Sequence, residues 1–376
     1  MPLKVIVVGA GLGGLGAAIA LHQAGHDVEV FEQSSFLNEV GAAIHIPPNA
    51  TRVLKSWGCD LSSLKPVHCG FININNKDGS FKDLPVVKKD IQSRTGTYDE
   101  WLLAHRDENA GEITLQDGTK RKADLLVGAD GVHSCTTSRV LGHEPQSKNT
   151  GQSCFRFLVP FDKVKAHPTV WPFFSTLDLS GQQVKYSTSV AFTPRRTESL
   201  QPVTRSTRLL GRWITSLETY KDFGPVLIEF LKLAEDLKLW NLATRDPPLS
   251  FHKGRLALLG DAAHPTLPHQ GQGGAQAIED AAAIGALFPA ETRPDQVSER
   301  LALYNKVRYG RSVTVMFMSR IQDERREDMM DALREFVPDA TLPSDMFAYT
   351  WASEPLRDAK VELQRLIREE GARAQL

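Results

Sequence analysis

At 376 residues, with 41% hydrophobic and 24% charged residues, the chain is long enough for two cores and too apolar to be disordered. Its 44 basic and 45 acidic residues leave a net charge of −1, which excludes a global basic field for nucleic acid or anionic lipid. The four cysteines, Cys59, Cys69, Cys135 and Cys154, form no Cys-x-x-Cys pair, so neither a disulfide framework nor a metal site is expected and a reducing, cytoplasmic compartment is.

Residues 4–8, KVIVV, form a short continuous apolar run of the kind that makes a buried parallel strand. The apolar character continues to residue 21, but Gly9, Gly11, Gly13, Gly14 and Gly16 interrupt it and no small-residue cleavage site follows, so neither a signal nor a membrane span is expected. Residues 9–14, GAGLGG, match G-x-G-x-x-G, and residues 17–24 continue as a helix. Gly9 permits a tight turn, Gly11 lets the backbone approach a diphosphate, and Gly14 lets helix pack close to strand. The helix N-terminus adds free N–H groups and a positive dipole end. A second strand, residues 27–31, ends at Glu32, placed to bond a ribose hydroxyl pair. This unit predicts dinucleotide binding and leaves FAD and NAD both open.

Residues 124–131, DLLVGADG, read as another buried strand ending in a turn, where Asp130 is available to backbone N–H groups or to cofactor hydroxyls. Far along the chain, residues 255–259 predict a strand, Gly260 and Asp261 a sharp exit, and residues 271–274, GQGG, the opening of a helix over 275–287. A carboxylate at Asp261 suits a polyol such as ribityl. The N–H groups of residues 272–275 would face an electron-rich ring edge and stabilise negative charge there. His45, His264 and His269 lie in segments expected to border such a ring, but each is also readable as a histidine satisfied by the backbone, and none is assigned a catalytic role. Glu279 and Asp280 read as charge near a helix N-terminus rather than as acid–base machinery.

Together GAGLGG with Glu32, GADGVHS, and GDAAHP followed by HQGQGGAQAIEDA resemble the single-component FAD-dependent aromatic hydroxylases of the salicylate hydroxylase type and their fungal secondary-metabolism relatives. The resemblance runs from Lys4 to about Phe288 and more weakly beyond. It implies an α/β fold: a Rossmann-like FAD-binding domain with an inserted antiparallel-sheet substrate domain and C-terminal helices. The corresponding boundaries are 1–65, 99–150 and 254–295 for the FAD domain, 66–98 and 151–253 for the substrate domain, and 296–376 for the helical region. It implies adenosine-ribose binding by Glu32, cofactor lining by Ala43, diphosphate contact by Arg106, ribityl contact by Asp261 and a backbone contact to the pyrimidine edge by Gly274. On the substrate side, Arg156 in Cys-Phe-Arg and Tyr186 in Val-Lys-Tyr resemble an arginine–tyrosine pair that orients and activates a phenol. The implied reaction is hydroxylation of a small phenolic or aromatic-acid substrate with NAD(P)H and O₂.

The pattern is broken in three places. After Arg106 the chain reaches Asp117-Gly118 too soon for a helix and strand, since a parallel crossover needs roughly a dozen residues. Residues 193–215 carry Arg195, Arg196, Arg205, Arg208 and Arg212 against Glu198 alone, without a sustained period, and read as a solvated or disordered loop. The arginine expected soon after Ser134 comes only at Arg139. Two other readings therefore stay open: a catalytically impaired or non-catalytic FAD-fold protein, and a flavin oxidase or dehydrogenase.

Overall fold

The computed structural model describes residues 1–33, 44–61, 67–68, 71–75, 81–85, 102–104, 122–175, 186–192, 224–321 and 326–373. In chain order the elements are β1 (Lys4–Val8), α1 (Leu12–Gln23), β2 (Asp27–Phe31), β3 (Ile44–Ile46), α2 (Pro48–Ser56), β4 (Val67–His68), β5 (Phe71–Asn75), β6 (Phe81–Pro85), β7 (Leu102–Ala104), β8 (Leu125–Gly128), α3 (Cys135–Leu141), β9 (Lys148–Pro160), α4 (Phe161–Ala166), α5 (Trp171–Phe174), β10 (Tyr186–Phe192), α6 (Pro225–Lys232), β11 (Glu235–Thr244), β12 (His252–Lys253), β13 (Leu256–Leu258), α7 (Gly273–Leu287), α8 (Val297–Met318), α9 (Arg326–Arg334), α10 (Met346–Trp351) and α11 (Pro355–Arg373). The segment after Arg106 and the arginine-rich stretch at 193–215 lie outside the described residues.

The apolar runs become strands of one sheet, in the order β12-β13-β8-β1-β2. β1 runs parallel to both β2 and β8, and β13 parallel to β8. All three residues of β13 are buried, as an interior parallel strand requires. β2 ends the sheet among the described residues, and none of its five residues is fully buried. The architecture is mixed α/β with a Rossmann-like nucleotide-binding unit.

Helix α1 carries three glycines, Gly13, Gly14 and Gly16, each costing about 1 kcal/mol of helix propensity relative to alanine. Close packing on α7 offsets that cost. A β-carbon on Gly16 would stand 3.0 Å from the Ala281 methyl, and one on Gly285 2.5 Å from the Ala20 methyl. The two glycine-rich motifs, distant in sequence, therefore meet along one seam of small residues that brings the helix backbones together. His26 ties the far end of α7 in place: its Nδ1 accepts from the Leu3 N–H at 3.2 Å, so its Nε2 is the donor to the Phe288 carbonyl at 2.8 Å. The Tyr304 hydroxyl of α8 donates to the Leu258 carbonyl at 2.9 Å and fastens the C-terminal helices to β13.

A second sheet, β10-β9-β11, is antiparallel throughout. Phe155, Phe157 and Val159 are buried on alternate positions of β9 and pack against Phe230 and Leu231 of α6. Phe157 and Phe230 meet at 5.9 Å between ring centroids in a tilted pair. Burial of each such side chain stabilises by roughly 1.5–3 kcal/mol. On the other parity, Cys154 packs with Leu242 and Leu267, which joins this sheet to the loop after Asp261. No helix among the described residues is long and apolar enough to cross a membrane.

Candidate cofactor site

The first glycine turn is shaped by the protein at two positions and left open at a third. Gly9 has φ +101°, and a β-carbon there would collide with the Ala129 carbonyl oxygen; one on Gly14 would collide with the Gly9 carbonyl oxygen. At Gly11 an added β-carbon meets nothing within 4 Å among the described residues. Gly11 is also the N-cap of α1, where no side chain caps the first-turn N–H groups. An uncapped helix end opening onto free space is a cradle for an anion, and a diphosphate fits it. Glu32, at the end of β2, reaches back to the same loop, its Oε2 accepting from the Ala10 N–H at 2.7 Å. The carboxylate thus flanks the turn.

Asp130 is drawn into its own turn. Its oxygens accept from the Ser134 hydroxyl at 2.6 Å, the Thr136 hydroxyl at 2.5 Å, and the N–H groups of Cys135 and Thr136 at 2.8 and 3.0 Å. Burial raises its pKa, but the hydrogen bonds from Ser134 and Thr136 outweigh that and hold the carboxyl below its usual range. Of the two uses expected for Asp130, the backbone one is filled: it anchors the start of α3, which unlike α1 has a side-chain cap, Ser134.

The third motif leaves β13 through a 3₁₀ turn, Gly260–Ala262, in which Gly260 adopts φ +56°. Asp261 is reached by solvent yet walled in by protein, and burial pushes its pKa up, with His264 and Arg245 pulling the other way. Arg245, 4% exposed, holds this turn from behind: its Nη2 donates to the carbonyls of Asp261 and Ala262 at 2.7 and 2.5 Å. Helix α7 then begins at Gly273, two residues before the expected Ala275, again with no side-chain cap. A β-carbon on Gly274 would press on the Leu12 side chain at 3.0 Å, so the starts of α7 and α1 are neighbours. Two uncapped helix ends side by side, with Asp261 beside one of them, suit a cofactor bearing both an anionic diphosphate and an electron-rich ring.

Glu279 and Asp280 depart from expectation. They lie mid-helix and fully buried, not as first-turn charge. Asp280 Oδ2 accepts from the Gly260 N–H at 2.9 Å and lies 2.6 Å from His264 Nε2, while Oδ1 accepts from Arg308 Nε at 2.8 Å. Glu279 pairs with Arg308 Nη1 at 2.6 Å and with Arg311 through Nε and Nη2, both at 2.8 Å. Burial opposes ionisation of both acids, but Arg311 and Arg308 for Glu279, and His264 and Arg308 for Asp280, outweigh it and hold both carboxyls below their usual range. His264 is therefore part of the scaffold under the Gly260 turn. His45 stands against Gly271, whose added β-carbon would lie 3.4 Å from its side chain.

Arg156 pairs with Val190 and Tyr186 with Pro160 in an unbroken β9–β10 ladder, so the two positions share one pleat parity, the parity of Cys154. Ala43 and Arg106 lie outside the described residues.

Sequence reasoning missed Asn49, Arg245, Arg308 and Arg311. One signal was available for Arg308: Val297, Leu301, Tyr304, Arg308, Ser312 and Val315 fall on one buried stripe of α8, and an arginine on such a stripe calls for buried acceptors.

The uncapped helix pair on a parallel sheet defines a dinucleotide-cofactor protein of the Rossmann type. Residues 7–45 match the family described as NAD(P)-binding Rossmann-like domain, and residues 231–317 match the FAD binding domain family. An FAD-dependent monooxygenase of Diaporthe leptostromiformis, phomE', is 32% identical, the match covering 89% of this chain and 96% of the relative. Hispidin-3-hydroxylase of Neonothopanus nambi is 31% identical over 82% of this chain and 86% of its own. The solved salicylate hydroxylase substrate complex superposes with a TM-score of 0.70 at 21% identity, covering 96% of this chain and 98% of that one. The chain belongs to the FAD-dependent monooxygenases.

Proposed function

We propose that this protein hydroxylates a small phenolic or aromatic-acid substrate, using NAD(P)H and O₂, with Arg156 and Tyr186 as its substrate-side groups. FAD, when bound, supplies the redox chemistry between nicotinamide and O₂. The chain's own residues hold and polarise. Gly11 and the α1 N–H groups receive the diphosphate, Glu32 the adenosine ribose and Asp261 the ribityl chain, while the first turn of α7 stabilises negative charge at the pyrimidine edge beside Gly274. Ala43 and Arg106 complete this set, lining the cofactor and reaching its diphosphate. Arg156 favours phenolate over phenol and can clamp a neighbouring carboxylate, and Tyr186 donates or moves a proton.

The observation that carries the reading is the shared parity of Cys154, Arg156 and Tyr186, together with the packing of Cys154 on Leu267 of the flavin-motif loop. That arrangement supports a substrate space between the β9–β10 sheet and the start of α7. Residues 1–65, 99–150 and 254–295 are proposed as the cofactor unit, 66–98 and 151–253 as the substrate unit and 296–376 as the helical region. The relative named hispidin-3-hydroxylase supports an aromatic substrate.

The test is NAD(P)H consumption against a panel of phenolic acids under ¹⁸O₂, followed by mass spectrometry. Product carrying ¹⁸O is expected; oxygen consumption with unlabelled product identifies an oxidase instead. Arg156→Ala should abolish product while the protein still binds FAD, and undiminished turnover removes Arg156 from the mechanism. Among the described residues β2 ends the sheet half-buried, which favours one further reading, weak cofactor retention. A full, tightly held yellow chromophore through purification would overturn it.

A further inference from the structure

Glu279 sits on the flavin-facing helix α7, but much of what holds it lies far downstream. Besides Arg308 and Arg311 it accepts from Asn49 Nδ2 at 2.6 Å and from the Ser353 hydroxyl at 3.2 Å. Asn49 Nδ2 also lies 3.2 Å from the Oε1 of Gln272, the N-cap of α7. Arg311 is shared: while its Nε and Nη2 grip Glu279, Nη1 donates to the Tyr349 carbonyl at 2.9 Å and Nη2 to the Thr350 carbonyl at 3.0 Å. Arg52 of α2, three residues after Asn49, donates to the carbonyls of Trp351 and Ser353, the latter at 2.8 Å. The chain at 349–353 thus presents main-chain oxygens to two arginines from two different helices, and returns one hydroxyl to the buried acid.

A buried carboxylate stays ionised and fixed only while its donors are in place. Glu279 shares Arg308 with Asp280, and Asp280 holds the Gly260 N–H one residue before Asp261. Through Asn49 it is linked to Gln272 at the α7 N-terminus. Any slack at 349–353 therefore reaches both ends of the cofactor contact. The match to the FAD binding domain family ends at residue 317 and does not include this segment.

We infer that residues 349–353 are a positioning element of the FAD site: docked by Arg311, Arg52 and Glu279, they set the Gly260–Asp261 turn and the start of α7, with Arg311 as the coupling residue. The inference rests on FAD binding and not on the identity of the substrate.

The experiment titrates FAD into apo-protein and follows quenching of flavin fluorescence and the visible absorption band. Arg311→Lys keeps the charge but loses the fork, and should weaken FAD binding by about tenfold or more, with a displaced flavin band. Ser353→Ala should weaken it by about fivefold. Phe230→Leu, in the core behind the second sheet, serves as the control for general destabilisation and should leave both readouts unchanged. Variants whose FAD Kd stays within threefold of that control overturn the inference; greater weakening supports it. If Arg311→Lys does not fold, Ser353→Ala and Arg52→Lys decide by the same criterion. Wild-type protein that binds FAD beside variants that bind it equally well sinks this inference alone, whereas wild-type protein without FAD affinity sinks the cofactor reading itself.

Discussion

The two glycine-rich turns lie along one helix seam, yet glycine is needed in them for different reasons. In the first, Gly9 and Gly14 face backbone carbonyl oxygens, Ala129 and Gly9 respectively, which cannot move aside. In the second, Gly271, Gly273 and Gly274 face side chains, those of His45, Thr266 and Leu12, which can give way in part. What holds the second turn is charge: Asp280 on the Gly260 N–H, His264 beside it, and Arg308 behind both acids. The first turn is therefore rigid by sterics and the second by electrostatics, and only the first carries an open position, Gly11, whose identity the protein's own packing does not demand.

Four substitutions probe that contrast, the largest first. Arg308→Met leaves two buried carboxylates short of their shared cation and should cost about 3–5 kcal/mol, read as loss of cooperative thermal unfolding. Retention of a near-wild-type melting temperature would mean the second turn does not depend on charge. Gly14→Ala forces a methyl into a carbonyl oxygen and should cost about 3 kcal/mol. An apo-protein melting within a few degrees of wild type would break the steric account of the first turn.

Gly11→Ala separates fold from function. With φ −72° and free space around it, the position accepts alanine, so the apo-protein should melt within about 0.5 kcal/mol of wild type. The rise in melting temperature that added FAD produces by mass action should disappear. A full FAD-induced shift in this variant would show that the diphosphate does not lie over Gly11.

The smallest effect concerns acid. Asp130 has a folded pKa below its ordinary value, so its stabilisation is fully present above about pH 4 and is lost as pH falls through the folded value. Asp130→Asn should be less stable at neutral pH and should approach wild type on acidification below about pH 4. Parallel stability curves for the two proteins between pH 5 and pH 2.5 would contradict the assignment.

The turns that frame the candidate cofactor site were legible in the sequence because their geometry is local. A turn that must pass a diphosphate needs glycine within a few residues of a strand end and a helix start, and both motifs announce themselves at that range. Helix ends were less legible: α1 and α7 begin earlier than expected, because glycine's poor propensity hides helix that close packing enforces. The scaffold was hardly legible at all. Asn49 of α2, Arg245 just after β11, and Arg308 and Arg311 of α8 are brought to the two cofactor motifs only in the folded chain, and Glu279 and Asp280 look like ordinary helix charge until their partners are seen. For Arg156 and Tyr186, the sequence offered two candidates, and the β9–β10 register puts them on one parity.

The sequence by itself determined that a Rossmann-type turn opens the chain, that acids stand at Glu32, Asp130 and Asp261, and that the late glycine motif belongs with FAD, because these depend on residue type and short spacing. Only the tertiary structure decided that Asp130 is engaged by its own turn, that Glu279 and Asp280 are a buried brace, and that residues 349–353 reach back to the start of α7. The reason is physical: a buried charge is stable only among partners, and those partners are brought from across the chain by packing rather than by proximity in sequence.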